Sequence, residues 1–164
     1  MASAFTKVLS TGVGAAAVAA AASLGLSGCS QNGGSGDVKD AISALHTSLV
    51  AIDGVEEAEV NGSSDGSPDR RLVNITLYLD SLSPQAVTPA VEQALAQTWA
   101  FDAYIPVGYS VQVWPAPVPA PPRDAGTMVD LTRTQAELGL GGYVYNRQLL
   151  ITAGELKAAL GARQ

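Results

Sequence analysis

Arg71-Leu72-Val73-Asn74-Ile75-Thr76-Leu77-Tyr78-Leu79-Asp80 decides the fold. Val73, Ile75, Leu77 and Leu79 alternate with Leu72, Asn74, Thr76 and Tyr78, the period-two pattern of a strand with one core face and one amphipathic face. Just upstream, Asn61 to Asp69 reads NGSSDGSPD, a dense cluster of turn residues, and before it Val55, Ala58 and Val60 suggest a shorter strand. Earlier still, Val38, Ala41, Ile42, Leu45, Leu49 and Ile52 recur at three- and four-residue steps behind an N-cap at Asp37. That spacing predicts an amphipathic helix ending near Gly54. Downstream, Ser83-Pro84 is a helix start, because proline's fixed φ and missing N–H are tolerated in a first turn. Val87, Val91, Leu95 and Thr98 then share one face up to about Phe101, and Tyr109, Val111 and Val113 make a third strand.

The order helix, strand, strand, helix, strand predicts an α+β domain over residues 37–114, in which two helices on one face of a three-stranded sheet bury both apolar stripes. This αββαβ order resembles the ring-building and BON-type modules of envelope proteins, with Ile52-Asp53-Gly54-Val55-Glu56 and then Ala58-Glu59-Val60 as the passage from helix to strand. Pro115 to Pro122, PAPVPAPP, is compatible with neither helix nor central strand, and residues 115–126 read as an extended, polyproline II-like linker. Residues 127–164 read as a docked helix-strand-helix segment. A short helix around Leu131 and Leu138 ends at Gly139 to Gly142, a strand or hairpin covers Tyr143 to Ile151, and Thr152-Ala153-Gly154-Glu155 is a capping box opening a last helix through Leu160. Tyr143, Val144, Tyr145, Leu149, Leu150, Ile151, Leu156 and Leu160 make this segment too apolar for a solvated appendage.

At the N-terminus a short region with one basic side chain, Lys7, precedes an apolar run from Val13 to Leu26 broken only by glycine and Ser23, the pattern of a secretory signal. The run ends in Leu26-Ser27-Gly28-Cys29, holding the chain's one cysteine, and the sequence then turns polar. This resembles the bacterial lipoprotein signal, with Leu26, Ser27 and Gly28 in the lipobox and Cys29 in the invariant position. The resemblance implies that residues 1–28 are a signal peptide cleaved between Gly28 and Cys29. It further implies that the Cys29 sulfur carries a diacylglyceryl group, and that the protein sits on the extracytoplasmic side of a cell membrane, held by lipid. Each buried lipid methylene contributes about 0.8 kcal/mol, so two chains anchor far more firmly than one. Residues 29–36, which include QNGGSG, then act as a flexible tether. The alternatives are an ordinary secreted protein with a stray cysteine and an uncleaved anchor. An ordinary signal ends in a small-x-small site, and a spanning helix needs about 20 apolar residues.

Charge excludes one class of partner. Of 164 residues, 15 are acidic and nine basic, for a net charge of −6, and Arg70-Arg71 is the one adjacent basic pair. Nucleic acid calls for a basic stripe that is missing here, and anionic lipid would be repelled, which leaves attachment to the acyl anchor. With a single cysteine no intramolecular disulfide forms, so stability comes from packing.

No catalytic set emerges. His46, the only histidine, lies at the edge of the first helix's stripe, where it is a rim residue or a lone base or ligand. G-x-S-x-G, Walker, H-E-x-x-H and C-x-x-C patterns are lacking, and one histidine with one cysteine does not make a zinc site. Asp53, Glu56, Glu57, Glu59, Asp65 and Asp69 form the densest acidic stretch, but the spacing is not that of an EF-hand, and they read as a solvated strand face and turn. Neither metal nor cofactor is called for. Trp99, Phe101, Tyr104, Tyr109 and Trp114 gather the aromatic content. Buried, they are core. Exposed, Trp114, Trp99 and Tyr109 would stack on a glycan or anchor an envelope protein, with Trp114 placed to pack against the tail. The sequence therefore points to a membrane-anchored binding or assembly module, with an enzyme of the cell wall or of exported substrates as the alternative.

Overall fold

A computed structural model describes residues 35–164 apart from 65, 68, 69 and 164, so Gly28 and Cys29 of the lipobox lie outside the described residues. The elements are α1 (Ser35–Val50), β1 (Val55–Ser64), β2 (Arg71–Leu79), α2 (Pro84–Trp99) and β3 (Gly108–Pro115), then a 3-10 turn (Ala125–Thr127). The chain continues with α3 (Thr132–Glu137), β4 (Tyr143–Tyr145), β5 (Gln148–Thr152) and α4 (Ala153–Leu160). The class is α+β. The sheet, however, has five strands in the order β1-β2-β3-β5-β4, where three were expected.

β1 and β2 pair antiparallel, and β2 and β3 pair parallel, so the chain must cross over between them, which α2 does. Val73, Ile75, Leu77 and Leu79 of β2 and Val111 and Val113 of β3 face Leu45 and Leu49 of α1 and Val87, Val91 and Leu95 of α2. Burying side chains of this size contributes about 1.5–3 kcal/mol each. Leu131, just before α3, and Leu156 of α4 join the same cluster, so every helix that adds to the core adds to this one face.

The two additional strands come from the C-terminal segment. β5 pairs antiparallel with β3, Tyr109 opposite Ile151 and Val111 opposite Leu149, and β4 pairs with β5 on the outside. Asn146 and Arg147 join β4 to β5 with φ of 48° and 68°, the two positive values of a tight hairpin turn. Such angles are unusual for arginine. Here the Arg147 guanidinium donates to the Met128 carbonyl at 2.9 Å, and the Arg147 carbonyl accepts from the Leu131 N–H, which ties the turn to the preceding chain. The capping box forms as read: Thr152 Oγ1 accepts from the Glu155 N–H, and Glu155 accepts from the Thr152 N–H at 2.8 Å.

Residues 115–126 are not a spacer. The chain bends at 116–117 and 121–122, at two cis X–Pro bonds, and lies across the sheet face that the helices leave bare. Its ends are stitched to the sheet, with the Ala116 N–H donating to the Leu79 carbonyl at 2.8 Å and the Val129 N–H to the Val113 carbonyl at 2.9 Å.

Gly142 enters β4 at φ +83°, and a Cβ there would lie 2.2 Å from the Leu150 carbonyl oxygen. Gly142→Ala combines a disfavoured backbone conformation with a clash against a fixed strand. It is expected to destabilise by about 3 kcal/mol in urea unfolding, and a loss under about 0.5 kcal/mol would contradict the hairpin's position.

Candidate functional site

The second face of the sheet divides into a covered end and an open one. At the covered end Tyr78 (0% exposed), Trp114 (5%) and Met128 (6%) form a small separate cluster under the proline-rich segment. Arg123 of that segment lies over the Tyr78 ring, 5.5 Å from its centroid, and grips Glu59 with both nitrogens at 2.7 and 3.3 Å. The Tyr78 hydroxyl donates to the same carboxylate at 2.8 Å. Arg123 above all, and then the tyrosine hydroxyl, hold the Glu59 carboxyl below its usual range. Burial, followed by the Glu59 contact, pushes Tyr78 up to about 12.

The open end lies beyond the strap's contacts with Leu79, Tyr78 and Glu59. Strand alternation brings Asn74 of β2, Ser110 and Gln112 of β3 and Gln148 of β5 to this face, and pairing places Tyr143 beside Leu150 and Tyr145 beside Gln148. Gln148 Nε2 donates to Ser110 Oγ, Gln112 Oε1 accepts from the Trp114 indole N–H, and Asn74 Nδ2 donates to Ser63 Oγ at 2.8 Å. Each amide is thus held through one of its two polar atoms and keeps the other for solvent. Tyr143 and Tyr145 stand 62% and 63% exposed. A groove of about 390 Å³ runs past Arg70, Leu72, Tyr143, Leu150, Thr152 and Glu155.

The aromatic residues singled out from the sequence sit elsewhere. Trp99 (9% exposed) and Tyr109 (2%) are core, their rings edge-to-face at 6.2 Å, with Arg163 stacked on the indole and hydrogen-bonded to the Tyr109 hydroxyl. Burial pushes the Tyr109 phenol up. Trp114 packs against the returning chain on the opposite face. None of the three is open to solvent, because helix α2 and the C-terminal residues close over the first two and the strap over the third. The exposed tyrosines belong instead to a stretch whose apolar content reads as buried. The alternation Tyr143-Val144-Tyr145 was the available signal, since Val144 packs on the core while its neighbours point away.

Several titratable groups among the described residues are engaged in structural contacts. His46 Nε2 meets Glu57 Oε1 at 3.0 Å, and the Ala58 N–H, more than His46, lowers the Glu57 carboxyl. Glu137 is lowered by Arg133 and then Thr88, and Glu155 by the backbone N–H and hydroxyl of Thr152. Of the acidic stretch, Glu57 and Glu59 are so engaged, whereas Asp65 and Asp69 lie outside the described residues. Among the described residues no three His, Cys, Asp or Glu side chains are placed to hold a metal ion, and no helix is long and apolar enough to cross a membrane. The chain matches no protein-family model, no curated protein and no solved structure.

Two expectations follow. Because the folded carboxyl of Glu59 titrates below the unfolded one, its contribution is present above the unfolded pKa of about 4.3 and is lost as pH falls through the folded value. Wild type should therefore exceed Glu59→Gln in urea stability at neutral pH, with the gap closing in acid; a gap independent of pH would contradict the latch. Tetranitromethane should nitrate Tyr143 and Tyr145 well before Tyr78 and Tyr109, as read by peptide mass spectrometry. Early nitration of Tyr78 would mean that the strap does not cover it.

Proposed function

We propose that this protein is a lipid-anchored envelope lipoprotein whose folded domain acts by binding. Leu26-Ser27-Gly28-Cys29 and the polar QNGGSG stretch after it support the anchor, with Cys29 as the acylated residue and Gly28–Cys29 as the cleavage point. The domain then faces the extracytoplasmic side, in reach of envelope proteins and glycans.

One observation carries the binding part: an open sheet face that sets two solvent-exposed tyrosines among orienting amides. A catalytic reading would look for a nucleophile, a base and a third group converging in one cleft. The perturbed carboxylates here are instead spread over the strap latch, the His46 contact, helix α3 and the α4 cap, each serving a local structural bond.

In a bacterial host that acylates lipoproteins, the wild-type chain should enter the detergent phase on Triton X-114 partition. Cys29→Ser should stay precursor-sized or partition into the aqueous phase. Identical partition of the two would overturn the anchor.

A further inference from the structure

The geometry points to a binding site for an uncharged polysaccharide on the open half of the second sheet face, centred on Tyr143 and Tyr145. The inference rests on the binding-module reading above and names the ligand class for that site.

Charge is the first argument. The chain carries a net −6, yet the strand positions at the centre of this face carry neutral side chains, Asn74, Gln112 and Gln148 among them, with Arg70 and Glu155 in the groove at its rim and Arg147 in the exposed hairpin turn. At that centre a charged polymer finds nothing to pair with and a neutral one has no charged group to strip of water, while the rim carries both signs. Carboxamides along its centre, from Asn74, Gln112 and Gln148, also make the face too polar for a lipid surface.

Side-chain chemistry is the second. A sugar ring offers one apolar C–H face and a rim of hydroxyls that both donate and accept. Tyrosine supplies an apolar ring with a polar tip, and its two torsions make it cheap to immobilise. Tyr143 and Tyr145 are two residues apart on the same side of one strand, about 7 Å, so neighbouring units of one chain reach both rings. Asparagine and glutamine amides donate and accept from a single group, and the contacts of Gln148 with Ser110 and of Gln112 with Trp114 fix their orientation in advance. The groove of about 390 Å³ beside Tyr143 has room for a ring that leaves the sheet edge.

The site is built on rigid parts. Tyr143 and Tyr145 belong to a hairpin whose turn is bonded to the chain at Met128 and Leu131, and whose inner strand is paired to β3. Little order has to be gained on binding, which favours affinity from a small contact area.

The test uses the full chain in detergent and affinity electrophoresis through gels containing dextran, mannan or glycol chitin, with polygalacturonate as the charged control. At least one neutral polymer should retard the wild type, and polygalacturonate should not. Tyr143→Ala and Tyr145→Ala should each weaken retardation about tenfold. Tyr145→Phe should keep most of it, and Leu82→Ala, exposed elsewhere, all of it; near-UV circular dichroism checks that each variant is folded. Retardation by none of the neutral polymers overturns the proposal, as does retardation that survives both alanine variants or is matched by polygalacturonate. So does self-association on light scattering that Tyr145→Ala abolishes, since the face would then be occupied by a second copy. If the polysaccharides fail while the same alanine variants lose an exported protein partner on cells, the glycan assignment falls and the binding module stands. The Cys29 partition reports on the anchor independently of all these outcomes.

Discussion

A sheet has two faces, and this chain spends its helices on one. The parallel pairing of β2 with β3 sets that constraint, because α2 must carry the chain across and comes to rest on Val73, Ile75, Leu77 and Val111, where α1 joins it. The other face has to be made compatible with water by different means. Two are used. Tyr78 and Trp114, the large side chains that point the wrong way, are roofed by the proline-rich segment, and Asn74, Thr76, Gln112 and Gln148 make most of the remaining outward positions polar, with Leu72 and Leu150 toward the groove. The open surface follows from where the roof ends.

The roof is a set of separate contacts of different kinds rather than an element of regular structure. Proline cannot donate to a ladder, so a segment of this composition attaches by its ends and by side chains. Ala116 and Val129 bond the flanking strands, Met128 fills the gap between Tyr78 and Trp114, and Arg123 closes over Tyr78 onto Glu59. The guanidinium is well suited to the last task, since its planar fork matches the carboxylate and its face matches the ring. Partly exposed pairs of this sort add little stability alone. Their value here is in holding an otherwise irregular chain in one place.

How far the sequence revealed this arrangement depended on the range of the pattern. The strand at Arg71–Leu79, the Ser83-Pro84 helix start and the Thr152–Glu155 capping box were legible because each is a local rule acting over a few residues. Tyr143 to Ile151 was legible as a strand or hairpin, but its place in the sheet was not, because the pairing of β5 with β3 is a long-range contact that no local pattern shows. The strap read as a linker because its grip is non-local: Arg123 meets Glu59 across 64 positions, which composition does not show. The aromatic signal misled for a related reason. Trp99, Tyr109 and Trp114 cluster in sequence but divide between two buried sites, whereas Tyr143 and Tyr145, embedded in an apolar run, are the exposed pair.

The anchor proposed at Cys29 and the folded domain fit one picture, a one-faced core whose uncovered second face bears two tyrosines. Its central claim is that this face is where the protein meets its ligand. The most direct measurement installs a photo-cross-linking amino acid at position 145 and, in a separate chain, at position 82, and irradiates living cells producing each. The account predicts adducts from position 145 and none from position 82. Adducts from both alike, or from position 82 alone, would contradict it.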